Sequence, residues 1–356
     1  MIAKQTNTNT LWVLGRFGLF TSLVLAIVAL VGSLEAGANA DSLAQGFHVL
    51  AKVPLPTHAS GTAAVNEVLN KFYSSGGGPA GSEHVVVVDG MTFGQVDVGS
   101  GSDANVDTRT DTYWSATVYN GGVVVRDGKT NSVLATIPLG NCPIDTTYDF
   151  WYNRIWVGAQ CGNNNDPVFA VNAHTFQVVA GPIGTGGVMG AVIADGADGS
   201  GRLYLTNSTG SLRVNPTTFA VTTNAFGSVM AIDTGDNRLY AAAGTNLQII
   251  NGVPDPEVIL ATIPLSYTPA SMGINQELNH LYLANPAGDS IEVRGGTTGR
   301  LISTFSLAAF GATPDGAIAV DNIRGRIYVT ASSGSGRVLL VIEDLITARD
   351  SRANRG

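Results

Sequence analysis

Beyond its first 45 residues the chain alternates between short apolar blocks and polar breaks. The stretch "GAIAVDNIRGRIYVTASSGSGRVLLVIED" (Gly316 to Asp344) shows the pattern. An apolar block ends in Asp, and a polar turn and a basic residue follow. An aromatic block, a glycine loop and a third apolar block complete the unit. Blocks of four to six residues, rich in Val, Ile and Tyr and bounded by Gly, Asn, Asp and Pro, predict β-strands.

The unit repeats. Tyr328 follows Asp321 by seven residues, and the same spacing joins Asn66 to Tyr73, Asp107 to Trp114, Asp149 to Trp156, Asp233 to Tyr240 and Asn275 to Tyr282. Asp195 and Tyr204 make the same pair with two extra residues in the turn "GADGSG". Two positions before the aromatic anchor stands a basic residue in six copies (Lys71, Arg154, Arg202, Arg238, His280, Arg326), and Thr112 in the second. Seven anchors at a mean spacing of 42.5 residues, each with room for four short strands, predict an all-β, seven-bladed β-propeller of four-stranded antiparallel blades. Blade 3 is expected to hold strands at 144–149, 154–159, 168–171 and 176–180. The Asp or Asn of each pair is expected to tie down the turn between its first two strands, and the ring to fill the space between blades.

The phrase "VLATIPLG" (Val133 to Gly140) is the fourth strand of blade 2, and "ILATIPLS" (Ile259 to Ser266) that of blade 5. Blade 7 has three strands and then a polar tail, whereas "VLAKVPLP" (Val49 to Pro56) is a fourth strand with no blade before it. Residues 47–56 are therefore expected to complete blade 7, closing the ring and removing its open edges.

The phrases "GRIYVTASSGSGRVLLVIED", "RLYLTNSTGSLRV" and "VVVRDGKTNSVLATIPLGNCP" resemble the YVTN-type β-propeller repeat, over nearly all of residues 46–347. That resemblance implies a secreted, periplasmic or surface-bound propeller. Related propellers include lactonases, lyases and subunits of periplasmic dehydrogenases. The copies are degenerate: blade 1 carries the insert "SSGGGPAGSE", and blade 4 is expected to be short in its third strand.

Composition agrees with many tight turns. Gly numbers 44, about 12% against the usual ~7%, and charged residues make up 13% against the usual ~25%. At the N-terminus Lys4 and Arg16 lead into the apolar run "FGLFTSLVLAIVALVG" (Phe17 to Gly32), and Ala38-Asn39-Ala40 follows. This order predicts a signal peptide over 1–40, cleaved before Asp41, with an uncleaved anchor as the alternative. The chain is accordingly expected to be periplasmic or secreted and monomeric, with no membrane span after cleavage. The polar tail covers 348–356. The full chain carries a net charge of −8; without residues 1–40 it carries −9, which makes nucleic acid an unsuitable partner.

Cys142 and Cys161 are expected to form one disulfide in an exported chain. The hairpin between the first two strands of blade 3 turns near residues 151 and 152, which puts the two directly opposite.

Common catalytic and metal-binding motifs are absent, and the five His fall at five different repeat positions. Chemistry is therefore sought at the channel mouth, where propellers present their loops. At the start of the first strand the copies read Thr62, Asp103, Asp145, Ala191, Val229, Ser271 and Ala317. Asp103 and Asp145, in neighbouring blades, could hold a divalent cation, a cationic ligand or a shared proton. His58 and Tyr267 lie in loops of the same end. "CGNNNDP" (Cys161 to Pro167) is a polar loop beside them, and "DGADGSG" (Asp195 to Gly201) reads as an enlarged turn at the opposite end. No catalytic residue or cofactor is assigned. The expectation is a binding or scaffolding module for a protein or small molecule at one face. A lactonase- or lyase-like enzyme with a polar or cation-assisted site is the alternative.

Overall fold

The first strand of the chain belongs to its last sheet. In the computed structural model, which describes residues 46–346 apart from 57–61, 77–82, 119, 141, 161–165, 186–191, 195–200 and 208–209, β1 is Phe47–Leu55. Blade 1 is β2–β5 (Thr62–Asn66, Lys71–Gly76, His84–Asp89, Gln95–Ser100). Blade 2 is β6–β9 (Asn105–Asp107, Thr112–Thr117, Gly122–Asp127, Val133–Pro138). Blade 3 is β10–β13 (Pro143–Asp149, Arg154–Ala159, Pro167–Asn172, Val178–Gly184). Blade 4 is β14–β17 (Val192–Ala194, Leu203–Asn207, Gly210–Val214, Val221–Thr223). Blade 5 is β18–β21 (Ser228–Asp233, Arg238–Ala243, Asn246–Asn251, Val258–Pro264). Blade 6 is β22–β25 (Met272–Asn275, His280–Asn285, Ser290–Gly295, Leu301–Ser306). Blade 7 is built on β28 (Arg326–Ser333) and β29 (Gly336–Asp344), with β26 (Ala312–Thr313) and β27 (Ile318–Asp321) both paired to β28. Each blade is an antiparallel meander, and the seven form a propeller.

β1 pairs antiparallel with β29, from Phe47 opposite Asp344 to Leu55 opposite Arg337, as the repeated phrase predicts. Blade 3 meets its expected second strand to the residue, and its first and third begin one residue earlier than expected. Its fourth starts two residues later and runs to Gly184. Blade 4 differs from expectation: its third strand keeps five residues, and the short ones are β14 and β17, with three each.

The seven anchor rings of Tyr73, Trp114, Trp156, Tyr204, Tyr240, Tyr282 and Tyr328 are buried. They pack between blades, as where Tyr328 of blade 7 stacks on Phe72 of blade 1 at 5.2 Å between centroids. In the six described copies the acid or amide before the anchor ties its turn. Asn66 accepts from Leu69 N–H (2.9 Å), Asp107 from Arg109 (2.9 Å), Asp149 from Trp151 and Tyr152 (both 3.1 Å), Asp233 from Gly235 (2.9 Å), Asn275 from Leu278 (2.9 Å) and Asp321 from Arg324 (3.0 Å). Asp195 lies outside the described residues.

A residue one or two positions before the second strand is left-handed in all seven blades: Asn70, Asp111, Asn153, Gly201, Asn237, Asn279 and Gly325, with φ between 48° and 62°. Only Asn, Asp and Gly occupy the position, the residue types that enter this region at least cost. The basic residue that follows reaches across to the next blade from blades 1, 3, 4, 6 and 7. Arg154 donates to Pro216 O (2.9 Å), and Arg326 to Gly90 O across the closure (2.8 Å). In blade 2, where Thr112 stands instead, Arg109 makes the crossing, to Phe150 O (3.0 Å).

Candidate functional site

The first strands of the blades line the axis, and their starting residues ring its mouth. A cavity of about 250 Å³ opens there. Every blade contributes: Thr62, Asp103, Asp145, Ile193, Met230, Ser271 and Ala317 all line it. The strand-start position identified from the repeat is thus the ring that forms the cavity, with one shift. Val229 is buried among Tyr204, Phe226 and Leu239 of the blade 4–5 interface, and Met230 takes its place. A β-bulge between Val229 and Ala231 adds one residue to β18 and turns Met230 to the axis. Ala191 lies outside the described residues.

The cavity is two-sided. Asp103, Asp145, Thr62, Thr146 and Asn105 line the sector of blades 1 to 3. Ile193, Met230, Met272 and Ile318 line the sector of blades 4 to 7, where Ser271 is the polar contribution.

Asp103 is the best-defined polar group. It is 1% exposed, and one carboxylate oxygen accepts the Thr146 backbone N–H (2.6 Å) and the Thr146 hydroxyl. Burial raises its pKa above the ordinary carboxylate range. Hydrogen bonds from Thr146, from the Thr62 hydroxyl and from the Ala104 N–H act against that rise. Thr62 in turn shares a hydrogen bond with the Ser75 hydroxyl (2.8 Å) and accepts the Ala104 N–H (3.2 Å). The Asp103 carboxylate therefore bridges three blades: Thr62 of blade 1, its own blade 2, and Thr146 of blade 3. Asp145, the neighbour of Thr146, is half-buried on the cavity wall.

Ser271 donates to Gly316 O (2.7 Å), which joins blades 6 and 7 at the mouth. Tyr267 is not part of the cavity. It is buried, with the Glu292 carboxylate close enough, together with burial, to push its phenol pKa well up. Sharing a loop with the mouth did not bring it there: the ring is buried beside Glu292 of blade 6. His58 lies outside the described residues, as do Cys161 and most of the polar loop after it. Cys142 is half-buried, and its carbonyl accepts the N–H of Gln160 (2.8 Å), the residue before Cys161. The one-residue offset from the expected pairing comes from a β-bulge between Pro143 and Asp145.

Two carboxylates, one of them with an oxygen already bonded to Thr146, are fewer ligands than the six to eight oxygens a calcium ion takes. Among the described residues no three His, Cys, Asp or Glu side chains are grouped to hold a metal. The donor set suits an organic cation better: carboxylate on one side, thioether and alkyl groups on the other.

Sequence reasoning missed Met230, Met272, Ile193 and Ile318. Each lies next to the strand-start position or one step further along the strand, a displacement set by bulges and by the width of the mouth.

No protein-family model matches the chain, and a search of curated proteins found no match. Among solved structures the chain is similar to the β-propeller domain of Cps50 (Swd1) from Myceliophteria thermophila. The likeness has a TM-score of 0.63 at 11% identity and covers 83% of this chain and 99% of that one. It is a likeness of fold, and it agrees with the seven antiparallel blades.

Proposed function

We propose that this chain is an exported propeller of the YVTN type, periplasmic or secreted, that binds a small organic cation at the channel mouth. The carrying observation is the two-sided cavity, with Asp103 and Asp145 facing Ile193, Met230, Met272 and Ile318. Its volume of about 250 Å³ lies just below the range of sites for drug-sized ligands, which favours a metabolite-sized amine over a protein segment. Charge placement supports the reading. The mouth end carries Asp103, Asp145, Asp166, Asp289 and Asp315, whereas Lys71, Arg154, Arg202, Arg238 and Arg326 stand at or just before the start of second strands at the other end. A cleft of one sign draws the opposite charge toward it. Export rests on Lys4, Arg16 and the apolar run, whether or not the run is removed afterwards.

Calorimetry with matched small amines, carboxylates and calcium tests the proposal. Amines with a short alkyl body are expected to bind, and Asp145→Asn to weaken them at least about tenfold, the equivalent of ~1.4 kcal/mol. Carboxylates binding as well as amines, or Asp145→Asn binding unchanged, would refute it.

A further inference from the structure

The seventeen large apolar side chains left exposed among the described residues share one end of the ring. Val68, Phe150, Trp151, Tyr152 and Ile323 sit in turns between first and second strands, and Met91 and Val253 in turns between third and fourth. In a meander these two sets of turns lie at the same end. The others open fourth strands at that end, as Val133, Leu134 and Val258 do, or follow β29, as Leu345 does. None stands at the channel mouth. Ile323 is 67% exposed, Met91 80% and Trp151 52%. Scattered single residues of this kind need no explanation, but confinement of all of them to one end does.

The chain also enters and leaves at that end. Leu345 N–H donates to Gly46 O (2.9 Å), where β1 begins and β29 has just ended. Thirteen residues, 33–45, separate Gly46 from the apolar run Phe17–Gly32. Arg349, Arg352 and Arg355 follow Ile346 from the same end.

We propose that this end is a membrane-docking face, seated on the bilayer in which the Phe17–Gly32 run is retained as an anchor. A run of sixteen residues is shorter than the ~20 that span a bilayer comfortably, so the tether alone holds weakly. Turn tips bearing Trp, Phe, Met and Ile partition into the interface and add to it. The three Arg of the tail are drawn to anionic headgroups. The channel mouth then faces away from the membrane, open to solutes. The inference concerns the opposite end from the ligand cavity and does not depend on it.

Trp151 is the reporter. The other tryptophans are Trp114 and Trp156, both fully buried, and Trp12, which precedes the apolar run. The full chain carrying W12F is recovered from the exporting cells' membranes and reconstituted into anionic vesicles. Their phospholipids are brominated near the headgroup. The Trp151 signal is the difference between W12F and W12F/W151F chains. It is expected to fall by about half or more, since interfacial seating places the ring within the quenching depth. A chain recovered wholly in the soluble fraction overturns the proposal, as does a Trp151 signal equal with and without bromine. A signal unquenched by bromine yet shielded from aqueous acrylamide also overturns it, because another protein or a second copy then covers the face.

Discussion

Removing Phe47–Leu55 should destroy the fold, although the segment stands at the start of the described residues. Four of its side chains, Phe47, Val49, Val53 and Leu55, are buried. Phe47 packs on Phe305 at 5.2 Å between ring centroids, in the core shared by blades 6 and 7. Val53 and Leu55 join the core shared by blades 7 and 1, with Phe72 and Tyr328. At about 1.5–3 kcal/mol for each fully buried apolar side chain, the four contribute roughly 6–12 kcal/mol. Whole domains are stable by only ~5–15 kcal/mol. The deletion also frees the edge of β29, a strand whose centre reads Val-Leu-Leu-Val-Ile and would template association. Size-exclusion chromatography and a urea titration followed by circular dichroism are the assay, with aggregation or loss of the cooperative transition expected. A permuted chain keeps the pairing of the two strands: residues 46–56 are moved behind Asp344 through a turn copied from Gly128–Ser132. It should unfold at a denaturant concentration no lower than the parent. A deleted chain that stays monomeric, with an unchanged midpoint, would refute the reasoning that closure is carried by this strand.

Asp103→Asn should stabilise the protein at pH 7. The raised pKa of Asp103 means that its contribution is fully present below the ordinary carboxylate pKa of ~3.9 and is lost as pH rises through the folded-state value. The parent minus Asp103→Asn stability difference should therefore decline with rising pH in that window, by at most ~1.4 kcal/mol per unit. A difference that grows with pH in urea titrations at pH 4 to 7 would contradict it. Cys142 and Cys161 are expected to be joined, so the unreduced exported chain should weigh two hydrogens less than the reduced one. Two free thiols in the mass spectrum would sink the pairing.

The fold was legible because one spacing, acid or amide to aromatic, is fixed by a tight turn that every blade must make. Asp149 with Trp156 and Asp321 with Tyr328 are built by the same hydrogen bonds and the same burial. The left-handed residue ahead of each second strand went unread, although Asn, Asp or Gly stands there at a constant place, because polar turns look alike until the backbone is seen. The site was half legible. Thr62, Asp103, Asp145 and Ser271 follow from repeat position alone. Met230 does not, because a bulge adds a residue without leaving a mark in the sequence, and the bulge beside Asp145 offsets Cys142 in the same way. Tyr267 shows the converse. Membership of a loop places a backbone, while a large ring goes where it can be buried.

Closure explains one irregularity among the repeats. Where blade n+1 has a continuous turn after its third strand, the basic residue of blade n can donate to a carbonyl of that turn, as Lys71 does to Gly128 O and Arg154 to Pro216 O. The third strands of blades 1, 2, 3 and 5 end in an acid or amide, such as Asp127 or Asn172, and Asn215 follows that of blade 4; each is spent on capping the same turn. Blade 7 has no such turn, because its fourth strand is β1 and the chain is interrupted between Asp344 and Phe47. One oxygen of Asp344 is therefore released from turn capping, and a long cation in blade 6 would have no turn carbonyl to find. The sequence places His280 there. Its Nδ1 lies 2.7 Å from Asp344, and the Tyr282 hydroxyl donates to the same oxygen at 2.6 Å. Burial and that carboxylate hold the Tyr282 phenol well above its ordinary pKa, so it remains a donor. Ile346 N–H takes the other oxygen at 2.9 Å, which fastens the departing chain to the same group. The departure from Arg to His at 280 is thus the local counterpart of a ring closed by hydrogen bonds instead of by a peptide link.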